Sequence, residues 1–155
     1  MNLDQIVPLL GKSEQDEQVK AMLSILDVKQ PLHRPKRGEN VVYVEFPERR
    51  MDFCFTLAES LKTYTLDYLE GELVFKAVWF RPNEDDVINK IVLPFNVEVQ
   101  PTLEEQIGRL GVPEDSNHVF NSYRWSVDGL KIYLSYNKEK NNLKEVEYSF
   151  YGGNL

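Results

Sequence analysis

The sequence predicts an α+β fold in which two helix-plus-antiparallel-meander units form a sheet with helices packed on one face. Three observations carry that prediction. Residues 41–46, 51–57, 130–136 and 143–150 alternate apolar and polar side chains, the period of a half-buried strand. The dipeptides Asp128-Gly129 and Asn141-Asn142 fall between consecutive runs, so those strands connect as hairpins. Around 19–26 and 103–110 the apolar positions recur instead at the spacing of a helix.

In residues 2–10 a short helix or single turn is expected. Asn2 and Gln5 offer cap chemistry, and Pro8 is tolerated only in a first turn. Ser13 is read as the cap of a stronger helix, with Asp16 at its third position and Val19, Met22, Leu23 and Leu26 on one face. From Lys29 to Asn40 the chain reads as a loop, its cations Arg34, Lys36 and Arg37 gathered around Pro35. Residues 41–46 and 51–57 form a hairpin closed by Pro47-Glu48-Arg49-Arg50. Val42, Val44 and Phe46 share one face, and so do Met51, Phe53, Phe55 and Leu57.

Ser60–Leu69 alternates as well, with Tyr64, Leu66 and Tyr68 inward, and Glu70-Gly71 turns the chain into Glu72–Phe80. That run is apolar on both sides, Leu73, Phe75, Ala77 and Trp79 against Val74, Val78 and Phe80, as in a strand covered on both faces. Arg81 to Asp86 reads as a polar, acidic turn. Ile88–Val97, broken by Pro94, reads as an edge strand or connector. Next, Thr102 and Glu105 make a capping box for a helix whose Leu103, Ile107 and Leu110 share a face, stopped by Gly111 with Pro113 beyond. The strands Val119–Val127, Leu130–Tyr136 and Leu143–Phe150 complete the chain.

The domain reading is one domain over 1–155 with an internal duplication, 1–80 as first unit and 101–151 as second. Leu3, Leu10 and Gly11 recur as Leu103, Leu110 and Gly111. Tyr43 answers Tyr123, Met51-x-Phe53-x-Phe55 answers Leu130-x-Ile132-x-Leu134, and Leu61-Lys62 answers Leu143-Lys144.

Composition narrows the function classes. With 42% apolar and 12% aromatic residues in 155, the chain can bury a substantial core. A net charge of −7 argues against nucleic acid as a direct ligand, because phosphate binding needs a basic stripe. One cysteine excludes an internal disulfide and fits a reducing compartment. No signal-peptide pattern opens the chain and no apolar run reaches spanning length, so the expectation is a cytoplasmic protein without a membrane partner.

No catalytic motif emerges, and no cofactor is expected. Cys54 turns away from the face that Phe53 and Phe55 share, and only His33 and His118 are available to activate it. The same two distant histidines give no metal-ligand spacing, and Glu84-Asp85-Asp86 reads as solvated carboxylates. The non-core side of the second meander is more informative. Arg124, Lys131, Tyr133, Glu145, Glu147 and Tyr151 fall there together, tyrosines ringed by charge, as protein-recognition patches favour. The Glu84, Asp85 and Asp86 turn is a second candidate contact.

Leu93-Pro94-Phe95, the helix ending in Leu110-Gly111-Val112-Pro113, and the hairpin carrying Trp125, Asp128-Gly129 and Leu130-Lys131-Ile132 resemble a known module type. It is the helix-plus-meander module of beta-lactamase-inhibitory proteins and outer-membrane-assembly lipoproteins. Over most of its length, through Leu9-Leu10-Gly11-Lys12 and Met51-Asp52-Phe53-Cys54-Phe55, the chain is similar to bacterial immunity proteins encoded beside polymorphic toxins. It lacks the lipobox leader of the lipoproteins and the disulfides of the secreted inhibitor, which favours the immunity-protein resemblance. That resemblance implies a non-enzymatic protein that neutralises a cognate protein toxin by direct binding, the toxin being basic and of nuclease type. It carries over no catalytic residue. Two other readings stand beside it: a small cytoplasmic enzyme using Cys54 or a carboxylate pair, and a structural protein self-associating through a sheet edge.

Overall fold

Local sequence preferences account for most of the elements. The computed structural model describes residues 1–61, 68–99, 102–139 and 142–151. The first part of the chain forms α1 (Leu3–Ile6), α2 (Glu17–Ile25), β1 (Val41–Phe46), β2 (Met51–Leu57) and β3 (Leu73–Phe80). There follow α3 (Glu84–Ile88), β4 (Val92–Leu93), β5 (Val97–Glu98) and α4 (Leu103–Leu110). The chain closes with β6 (Asp115–Asn117), β7 (Ser122–Val127), β8 (Leu130–Tyr136) and β9 (Leu143–Phe150). Seven strands form one antiparallel sheet in the order β1-β2-β3-β9-β8-β7-β6, and β4 with β5 makes a separate two-stranded ribbon. The fold is α+β, and its two three-strand meanders meet through their last strands, β3 against β9.

Helix ends follow their caps. Asn2 and Gln5 close the capping box of α1, which gives way to a 3₁₀ turn at Val7–Leu9 where Pro8 falls. The α2 cap is Asp16, which accepts from the Gln18 amide at 2.8 Å, and not Ser13. Ser13 is drawn away because Gly11 to Glu14 pairs with β3: the Gly11 amide donates to the Phe75 carbonyl and the Glu14 amide to the Leu73 carbonyl, both at 2.8 Å. Thr102 caps α4 through the Glu105 amide, and Gly111 stops it at φ +85°.

Five differences from expectation matter. The acidic segment after Arg81 is a helix, α3, because Asn83 and Asp86 form a reciprocal capping box. The first strand of the second meander begins at Ser122; Val119 and Phe120 are exposed in the turn after β6. The expected strand at Ser60–Leu69 opens on a 3₁₀ turn at Ala58–Ser60, and Tyr64 and Leu66, with Lys62, lie outside the described residues. The counterpart of β9 in the first meander is β3, so the pairing of Leu61 with Leu143 does not describe equivalent strands. Nor are Tyr43 and Tyr123 equivalent in environment: the first is 60% exposed and the second is buried in the core.

The core lies between the helices and one sheet face. Val19, Met22 and Leu23 of α2 and Ile6 of α1 pack with Phe53, Phe55, Phe75, Val78, Ile132, Leu134, Val146 and Tyr148 from the strands. Leu103, Ile107 and Leu110 join from α4, whose end is tied down by the Trp125 indole donating to the Gly111 carbonyl at 2.8 Å. The opposite face is covered at one end, where Ala58 and Leu61 pack on Val74.

Gly11 pins the segment that runs beside β3. Its φ is +89°, and a Cβ there would sit 2.9 Å from the Phe150 ring. Gly11→Ala should therefore cost roughly 2–4 kcal/mol, from left-handed strain plus overpacking. Urea titration of the two proteins checks this, and an unchanged midpoint would mean that the ring moves aside freely.

Candidate functional site

The feature that shapes the site is a bulge. Cys54 pairs with Ala77 and Phe55 with Phe75, leaving Lys76 as the extra residue of β3. Alternation changes phase there. Leu73, Phe75, Val78 and Phe80 meet the helical layer, whereas Ala77 and Trp79 turn to the opposite face instead of following Leu73 and Phe75. Register then aligns Glu45, Asp52, Trp79, Glu147, Tyr133 and Arg124 in one row across six strands.

Two ionic clusters flank this row. On one side Arg81 holds Asp52 at 2.6 Å and Glu145 at 3.2 Å, and their hydrogen bonds and charges hold its pKa above the ordinary arginine value. On the other, Glu114 receives Lys131 at 2.6 Å, Arg124 at 2.9 Å and the Ser126 hydroxyl at 2.8 Å. Those donors, the Lys131 hydrogen bond foremost, keep the Glu114 carboxyl below its usual range. Arg124 also reaches Asp115 at 3.6 Å.

Between the clusters stand the tyrosines. The Tyr133 and Tyr151 hydroxyls hydrogen-bond to each other, and Arg124 stands opposite Tyr133 in the β7–β8 register. The ammonium groups of Lys131 and Lys76 lie 5.7 Å and 6.0 Å from the Tyr151 ring centroid, within cation–π range. Beside them, burial pushes the Glu147 carboxyl up to about 7, with the Glu145 charge adding to the rise and the Lys76 charge opposing it. A buried carboxyl of raised pKa, paired tyrosines and ion-paired cations thus lie together on this surface.

Arg124, Lys131, Tyr133, Glu145, Glu147 and Tyr151 thus share one face, as expected. Glu84, Asp85 and Asp86 do not join them and lie on α3. Asp86 is a buried structural group: its carboxylate receives Arg50 at 2.5 Å and the Asn83 amide at 2.9 Å. Burial alone would raise its pKa, but the Arg50 and Asn83 bonds and the Arg50 charge bring it below the ordinary value. Glu84 and Asp85 are exposed.

The basic loop has a structural use. Arg34 reaches the buried Glu14 at 2.6 Å and the Gly71 carbonyl at 3.0 Å. Cys54 does face away from the core, but it is 4% exposed and burial pushes its thiol up to about 11, the reverse of activation. Among the described residues no three His, Cys, Asp or Glu side chains gather to hold a metal, and no helix is long and apolar enough to cross a membrane.

Sequence reasoning passed over Tyr43, Glu45, Asp52, Trp79 and Arg81. The first three were legible, since the alternation that turns Val44 and Phe53 inward turns them outward. Trp79 was hidden by the bulge, whose one trace in the sequence is a lysine inside an apolar run. No family model, no characterised protein and no solved structure matches this chain.

Proposed function

We propose that the chain is a protein-binding module whose sheet face opposite the helices captures one partner, and that it acts as an immunity protein neutralising a cognate toxin. One observation carries the reading. Trp79, Tyr133 and Tyr151 stand near one another on the sheet side opposite the helices, and the ions around them are already bonded to one another. Such a surface binds with little ordering cost, because its side chains are held before the partner arrives. The toxin as partner rests on the resemblance and on the net charge of −7, which speeds encounter with a basic protein.

Co-expression with the product of the adjacent upstream gene tests the proposal. The wild-type chain should relieve growth arrest caused by that product and form a stable complex with it. Tyr133→Ala removes the centre of the face without entering the core. It should shorten the complex lifetime by a factor equivalent to about 2 kcal/mol or more, read from dissociation kinetics. Absence of both relief and complex would overturn the reading.

A further inference from the structure

At the β1 end of the face is a cleft of about 280 Å³ lined by Tyr43, Glu45, Asp52, Trp79, Arg81 and Glu145. We propose that this cleft receives an arginine side chain of the protein partner, its guanidinium lying against Tyr43 and Trp79 and paired with Glu45. The proposal rests on the reading of this face as partner-binding and adds the chemistry of what enters it.

Charge selects a cation. Three carboxylates and one guanidinium line the cleft, and Arg81 is engaged by Asp52 and Glu145 together. Glu45, exposed on β1, has no ionic partner among the described residues. An anion or a nucleic acid would meet uncompensated negative charge here.

Shape and aromatic lining narrow the choice. The Tyr43 and Trp79 rings stand 6.1 Å apart at 44°, forming an open wedge whose outer ring is 60% exposed. Trp79 sits on β3, which is paired by β2 on one side and β9 on the other, so one wall of the wedge is carried by an interior strand. Planar guanidinium stacks on such rings while its edge donors reach a carboxylate, a combination an ammonium makes less well. Small-molecule sites run from about 300 to 1,000 Å³, so this cleft suits a single side chain better than a whole ligand.

The probe is N-acetyl-arginine amide, titrated into isotope-labelled full-length protein and followed through the tryptophan indole N–H signals. A saturable shift of Trp79 is expected while Trp125, buried and bonded to Gly111, stays still. The uncharged N-acetyl-norleucine amide should leave both signals unmoved. Glu45→Gln and Tyr43→Ala, both at exposed positions, should each weaken binding by about tenfold. An unmoved Trp79 signal, or equal affinity in Glu45→Gln, overturns the proposal, and an unmoved Trp125 confirms that each variant is folded. If the titration fails while Tyr133→Ala still shortens the complex lifetime, the cleft is wrong and the face is right. If the titration succeeds while relief and complex fail, the arginine preference holds and the toxin is removed as its source.

Discussion

Phe75→Ala should lower stability by about 3–5 kcal/mol, a large part of what a domain of this size possesses. The ring is fully buried and central in the aromatic run of the core, 4.8 Å from Phe53 and 5.1 Å from Phe55, the latter stacked. It also precedes the bulge, where the backbone is bonded on one side to the Gly11–Lys12 segment and on the other to β2. A cavity there cannot close by shifting one strand, because three chain segments converge on it. Calorimetry or urea unfolding measures the loss, and a cost below about 1 kcal/mol would mean that the neighbouring rings refill the space.

The second large effect depends on pH. Glu147 has a folded-state pKa of about 7 against an ordinary value of 4.5, because burial penalises its charged form. Below pH 4.5 the group is protonated in both states and costs nothing. Between 4.5 and 7 the folded state holds a proton that the unfolded state releases, so stability falls as pH rises. Above 7 both states are ionised and the full penalty remains, up to about 3 kcal/mol from the size of the shift. Glu147→Gln keeps the size and shape of the side chain and removes the charge. It should stabilise the protein by about 1–3 kcal/mol at pH 8, with little gain at pH 4. Melting curves across that range decide the matter, and a variant gain independent of pH would place Glu147 in contact with water.

Legibility in the sequence followed the physics that shaped each segment. The limits of β1, β2, β8 and β9 were readable because apolar residues recur at every second position along each of them. β6 was not, because Asp115-Ser116-Asn117 is polar throughout and is a strand only through pairing with β7. α3 was misread because three acids resemble a solvated turn until Asn83 is seen to cap them. Ser13 lost its cap role to a tertiary interaction, its pairing beside β3, which no local window contains. The second-meander half of the site was readable by the same alternation as its core. The first-meander half lay beyond a one-residue change of phase, so Trp79 could be placed only once β3 was paired.

The seam between β3 and β9 also bears on how the chain folds. Its pairs run from Ala77 with Ser149 to Phe80 with Val146, contacts separated by roughly seventy residues. Every other neighbouring pair in the main sheet is joined within its own half, mostly through short hairpins that close locally and early. Within the main sheet the entropy of closing a long loop falls on the seam, as it does outside it on the Gly11–Glu14 segment beside β3, so both pairings are expected to form after the local hairpins. The cross-strand row carrying Trp79, Glu147 and Tyr133 spans that seam. The face is complete only once the seam has formed, because Trp79 and Arg81 lie in or just after the first meander, and Glu145, Glu147 and the tyrosine pair lie in or just after the second.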